Sequence, residues 1–176
     1  MLEILLIQGI GAIAYGTLSL SYFKKEKKDI LFMEIISYIC FTIHYYLLSG
    51  VTGAICNFIG LLALITIYLF EKYKLKNKWI ISLFFVFLVL IINIINFQNI
   101  FSIFPMIASI IVILSFLGKN ENMIRFIGVV SAICWLFYAI VYKSYISIIF
   151  EVVTLLGVCI ALIKNLKSKN KINNKE

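Results

Sequence analysis

The chain is a succession of apolar runs about twenty residues long, cut at intervals by short clusters of lysine. An α-helix rising about 1.5 Å per residue needs a stretch of that length to cross the hydrocarbon core of a bilayer. Seven spans are predicted on this rule, at 2–22, 30–48, 51–70, 79–97, 99–117, 123–142 and 145–163. Helices satisfy every backbone N–H and C=O within the segment, as lipid requires. With 63% hydrophobic residues and a mean hydropathy of +1.07 over 176 residues, the composition lies well beyond the roughly 45–50% apolar content of soluble domains. Outside the C-terminal tail no polar stretch is long enough for a soluble domain. The expected fold is an all-α membrane protein.

Charge placement orients the spans. Fifteen of the sixteen basic residues fall in segments 24–28, 72–78, 119–125 and 164–175, which leaves Lys143 alone at the opposite ends of the spans. By the positive-inside rule the basic segments are cytoplasmic, so the N-terminus is expected outside, the C-terminus inside, and the number of spans odd. The start, Met1 to Leu5, lacks the basic region and the small-residue cleavage site of a removable signal and reads as part of the first helix. The net charge of +8 follows this pattern. It points to topology and to membrane lipid as partner of the basic tail, not to nucleic acid. Cys40, Cys56, Cys134 and Cys159 lie inside apolar runs without C-x-x-C spacing and read as small packing residues, with no metal site or disulfide expected.

A shift of 94 residues aligns the first half of the chain with the second without a gap. Leu20 and Ser21 meet Leu114 and Ser115; Phe32 meets Phe126; Ser37, Ile39 and Cys40 meet Ser131, Ile133 and Cys134; Leu61 and Leu62 meet Leu155 and Leu156. Identities between sequences rich in Ile and Leu are weak support, but loop lengths and charge placement match as well. The predicted architecture is therefore two parallel three-helix repeats joined by a connecting helix, 3+1+3, a plan that places a solute site between the repeats. The segments are 1–70 for the first bundle, 71–98 for the basic loop and connecting helix, 99–163 for the second bundle and 164–176 for the basic tail.

Ionisable and polar groups inside spans mark candidate sites, because a charge at the centre of a helix costs about 2.5–3.5 kcal/mol on insertion scales. Glu151 is the clearest such choice, and under the shift it falls on Asn57. Both lie six or seven residues from the outer ends of their spans, roughly 10 Å deep. Two readings stay open for the pair: a polar or proton site, or hydrogen bonds that hold helices together. His44, matched to Tyr138, lies near the same level and is read as a proton relay or as an interface residue. Trp135, matched to Phe41, is read as a stacking platform for a solute or as packing. Pro105 pairs with Gly11 in the Gly9 to Gly11 run, giving a candidate hinge or close packing at Gly9, Gly11 and Pro105. Glu34 is read as a structural charge near a helix N-terminus, and Asn93 and Asn96 as interfacial. No phosphate loop, nucleophile elbow or zinc-protease motif is present. Neither an enzyme nor a cofactor is expected.

The segments LIQGIGAIAY at 6–15, HYYLLSG at 44–50, FPMIASI at 104–110 and CW with the later FE at 134–151 resemble the YgjV-like bacterial inner membrane proteins. The resemblance covers nearly the whole chain and implies the bacterial cytoplasmic membrane; it carries no activity with it. More distantly, the 3+1+3 plan resembles the SWEET and PQ-loop sugar transporters, in which an Asn in helix 3, an Asn in helix 7 and a Trp in helix 6 contact sugar. Asn57 matches the first and Trp135 has the family's spacing, while Glu151 replaces the second Asn and the PQ dipeptide is absent, Pro105 being followed by Met106. The expected function is a transporter or facilitator of a small polar solute, a sugar-like one among the candidates, lined by Asn57, Glu151, Trp135, His44 and Tyr138. The competing expectation is a non-transporting assembly or regulatory protein. Self-association into a homo-oligomer is left open.

Overall fold

Many large apolar side chains face outward from the helices, while hydroxyl, amide and other polar side chains are buried beside an apolar core. The computed structural model describes residues 2–21, 27–115 and 121–157. These form α1 (Leu2–Ser21), α2 (Lys27–Leu47), α3 (Val51–Lys72), α4 (Lys78–Ile95), α5 (Ile103–Ser115), α6 (Glu121–Val141) and α7 (Tyr145–Gly157). Three segments, Leu2–Ser21, Val51–Phe70 and Lys78–Ile95, are long and apolar enough to cross a membrane by themselves, and the apolar parts of the others are shorter. The expected tail at 164–176, the last turns of the seventh span, Lys24, Lys25, Lys119 and Cys159 lie outside the described residues.

Leu5, Phe32, Phe58, Phe84, Phe87, Ile94, Phe137 and Val153 are all exposed, while Ser37, His44, Thr52, Asn57, Asn93, Ser102, Ser131, Ser144, Ser147 and Glu151 are buried. In water this distribution would leave a large apolar surface uncovered. In lipid it is the stable arrangement, because small and hydroxyl side chains let helices approach and hydrogen-bond across their interfaces.

Successive helices pack on one another from α1 through α6, and α3 also packs on α5. Helix α4 lies against α3 and α5. Its buried residues Ser82, Phe85, Val89 and Asn93 recur at helical spacing and form one face. Phe85 and Val89 there join Cys56, Ile59 and Ala63 of α3 and Ile113 of α5 in one apolar cluster. Asn93, expected at the interface, is instead buried: its Nδ2 donates to Val89 O at 2.7 Å, and its side chain meets the Cys56 Sγ at 3.4–3.6 Å. Asn96 is exposed, in keeping with its expected place.

The fifth span begins later than expected. Residues Ile100–Ser102 form a 3-10 turn, capped by reciprocal bonds between Asn99 and Ser102, and α5 starts at Ile103. Pro105 is buried in the first turn of α5. There the backbone N–H groups lack intrahelical acceptors in any case, so the ring removes nothing. The expected weak point inside a helix is the start of one.

Two tight turns share three backbone hydrogen bonds at matching positions, 94 residues apart. Between α2 and α3, Leu48 N–H donates to His44 O, Ser49 N–H to Tyr46 O and Gly50 N–H to Tyr45 O; between α6 and α7, Tyr142 N–H donates to Tyr138 O, Lys143 N–H to Ile140 O and Ser144 N–H to Ala139 O. Each turn puts a non-glycine residue in the left-handed region, Ser49 at φ 61° and Lys143 at φ 53°.

Candidate functional site

Six of the seven helices surround a cavity of about 350 Å³ to which α4 contributes no residue. Glu151 stands on its wall, only 8% exposed. The Tyr15 hydroxyl donates to Glu151 Oε1 at 2.8 Å, a bond from α1 to α7. Tyr15 is held in turn by Phe150, stacked at 4.7 Å between ring centroids, and by Phe41, edge-on at 4.6 Å. Among the described residues no cationic side chain pairs with the carboxylate, and Tyr15 is its hydrogen-bond donor.

Asn57 lines the same cavity from α3. Its Nδ2 donates to Gly53 O at 2.9 Å, one turn back in its own helix, so its hydrogen bond does not tie two helices together. Trp135 lines the wall from α6 and stacks on Tyr45 at 5.4 Å between ring centroids. Tyr45 is 1% exposed and its hydroxyl has no hydrogen-bond partner among the described residues. Such a group buried without a partner costs about 1–3 kcal/mol. Among the described residues no three His, Cys, Asp or Glu side chains gather as a metal would need.

Twenty residues line the cavity, and eighteen of them form nine pairs separated by 94 positions. Tyr15 pairs with Ser109, Ser37 with Ser131, Phe41 with Trp135, Cys56 with Phe150, Asn57 with Glu151 and Gly60 with Thr154. Only Glu34 and Tyr45 lack a partner in the wall. The lining reaches Ser19 and Ile113, within a turn of the ends of α1 and α5 that lead to the basic segments.

His44 and Tyr138 do not line the cavity; they stand in the last turns of α2 and α6, beside the two matching turns. His44 is fully buried, with Nδ1 at 2.8 Å from Ile7 O and Nε2 at 2.6 Å from Ser144 Oγ. A carbonyl can only accept, so Nδ1 carries the hydrogen. Ser144 and Ser147 share a further hydrogen bond of 2.6 Å. Tyr138 reaches the other way: its hydroxyl accepts from Gly53 N–H at 2.9 Å. A Cβ at Gly53 would run into the Tyr138 ring, and one at Gly11 into Ile146 and His44. Gly11 is thus a packing position; Gly9, by contrast, faces open space.

The same end carries a second set of crossed bonds. Gln8 Nε2 donates to Lys143 O at 3.1 Å and its Oε1 accepts from Ile146 N–H at 3.1 Å. Gln98 Nε2 donates to Ser49 O at 3.3 Å, and Thr52 Oγ1 donates to Ser102 Oγ at 3.0 Å. The acceptor carbonyls of Ser49 and Lys143 belong to the two matching turns.

Sequence reasoning placed Asn57, Trp135 and Glu151 together and missed Tyr15, Tyr45, Phe150 and the cavity position of Glu34. The 94-residue offset could have found Tyr15 and Phe150, whose partners Ser109 and Cys56 also line the wall. Glu34 was separable from a structural charge only by its neighbours in space.

The family described as Imp-YgjV, bacterial inner membrane protein, matches residues 5–169. No curated protein and no solved structure matches the chain.

Proposed function

The chain belongs to the Imp-YgjV family of bacterial inner membrane proteins, and on that premise we propose that it is a transporter or facilitator of a small polar solute. In this reading α1–α3 and α5–α7 are two parallel repeats joined by α4, and the solute site lies between them, as in the SWEET-like plan. The observation that carries it is the pairing of eighteen lining residues at one offset. Two units related by an axis through the cavity would produce that pattern, whereas a void left by imperfect packing has no reason to. The volume also falls within the range of about 300–1,000 Å³ of small-molecule sites.

The crossed bonds at the far end support the alternating-access part of the reading. His44 of α2 bonds to Ser144 at the start of α7, and Tyr138 of α6 bonds to Gly53 in the first turn of α3. His44 and Tyr138 stand 94 positions apart and each accepts from the other triplet, His44 from Ser144 and Tyr138 from Gly53, so the two contacts cross in opposite directions. With the basic segments cytoplasmic, the N-terminus outside and the C-terminus inside, this girdle is the closed outer gate, and the cavity extends toward the cytoplasm.

The bond from Tyr15 to Glu151 favours a second reading, in which the buried polar groups only hold α1 to α7 in an assembly or regulatory protein. Purified protein reconstituted in vesicles separates the two. Transport predicts saturable flux of at least one polar solute that is lost in Trp135→Ala and Glu151→Gln variants that still fold. Folded protein without flux or thermal stabilisation by any solute in a broad panel would sink the transport reading.

A further inference from the structure

The charges and rings around the cavity are strongly one-sided. Glu34 and Glu151 both line it, and among the described lining residues none is Lys, Arg or His. Six aromatic rings stand on the same walls: Tyr15, Tyr38, Phe41, Tyr45, Trp135 and Phe150. Ring faces carry partial negative charge and attract cations, most strongly where water is excluded. Glu151 is nine-tenths buried with the neutral Tyr15 hydroxyl as its donor, and the Tyr45 hydroxyl is buried without a hydrogen-bond partner among the described residues. A carboxylate in so apolar a place takes up a proton or pairs with a counter-charge, and where it stays ionised the described wall supplies no cationic partner. A neutral sugar would not meet that need, and an anion would be repelled.

We infer that the solute is a small organic monocation, a protonated amine or quaternary ammonium, held with its charge against the Glu151 carboxylate and its alkyl groups among the rings around Tyr45 and Trp135. This rests on the solute-transport reading and names the class of its substrate. Glu34 lies about 10 Å along α2 from its start at Lys27, and so toward the end of the cavity that faces the basic segments. There it draws cations inward past the lysine-rich segments. The small volume fits one compact cation and excludes bulky ones.

The test is binding to purified full-length protein in lipid nanodiscs by titration calorimetry. The probes are choline, tetramethylammonium and ethylammonium, with 3,3-dimethylbutan-1-ol as the uncharged isostere of choline, glucose as a neutral polyol and propionate as an anion. The expected result is that at least one cation binds about tenfold or more tightly than the isostere, the ratio that one desolvated charge contact of about 1.4 kcal/mol gives. Glu151→Gln should erase that preference. Because the comparison of choline with its isostere is made on the unsubstituted protein, it stands even where a variant fails to fold. Glucose or the isostere binding as tightly as every cation would overturn the cation assignment and leave the transport reading standing. No binding by any of the three cations at millimolar concentration would overturn it also, with vesicle flux then deciding the transport reading separately. A cation preference that survives intact in Glu151→Gln would remove Glu151 from the site.

Discussion

At the scale of single residues, two buried tyrosine hydroxyls in the same cavity wall do opposite things. Tyr15 donates to Glu151 at 2.8 Å, whereas the Tyr45 hydroxyl has no hydrogen-bond partner among the described residues. Removing the first hydroxyl leaves a buried carboxylate oxygen without its donor; removing the second takes away an unsatisfied group. Tyr15→Phe should therefore lower stability by about 1–2 kcal/mol, the upper range for intramembrane hydrogen bonds. Tyr45→Phe should leave the empty protein as stable or slightly more so. Thermal unfolding of the two variants side by side in one detergent checks both signs, and a larger loss in Tyr45→Phe would contradict the hydrogen-bond assignment. Polarity in an apolar run pointed to Glu151 and Asn57, because a group costly to bury stands out in sequence, and Trp135 was found by its spacing to Glu151. The tyrosines did not stand out, since a Tyr within a span is ordinary and only its neighbours show whether its hydroxyl is satisfied. His44 was conspicuous for the same reason as Glu151, yet its ring is fully occupied by Ile7 O and Ser144, which fits a structural tie at the girdle.

At the scale of elements, the run lengths located the helices, and the physics of their ends moved the boundaries. A 3-10 turn, set by Asn99 and Ser102, delays α5, and no hydrophobic count could register it. Asn93 was misplaced because distance from a helix end says nothing about which face it occupies, and its face is the one packed on Cys56. The matching turns at Ser49 and Lys143 carry a testable strain. Both are non-glycine residues at positive φ, a region that costs roughly 1–2 kcal/mol per residue with a Cβ. Ser49→Gly and Lys143→Gly should each raise stability by up to about 1 kcal/mol after the entropy glycine adds to the unfolded chain, seen as a higher midpoint of thermal unfolding. Gly53→Ala should act in the opposite direction, because its Cβ meets the Tyr138 ring, and overpacking of this kind costs about 1–3 kcal/mol.

At the scale of the whole molecule, the cavity wall is nearly symmetric in position and asymmetric in chemistry. Asn57 and Glu151 occupy matching places, so at this pair of positions only one half of the chain carries a carboxylate. If the two triplets are equivalent around the cavity, the charge should work from either side. Asn57→Glu alone sets a second carboxylate into the same small space, and like charges in a low-dielectric site oppose one another. Glu151→Asn alone removes the charge. Each single exchange should reduce uptake in vesicles by about tenfold or more, a loss of at least about 1.4 kcal/mol. The double exchange, Asn57→Glu with Glu151→Asn, restores one charge and one amide at mirrored positions and should recover a large part of the activity of the unsubstituted protein. Tyr15, which donates to Glu151, faces Ser109 across the offset, so the mirrored carboxylate receives a shorter hydroxyl and recovery should be incomplete. Adding Tyr15→Ser and Ser109→Tyr to the double exchange should then raise it further. Activity in the double exchange no higher than the weaker single would mean that the halves are not equivalent around the cavity, and the offset would describe a sequence pattern without a matching working geometry.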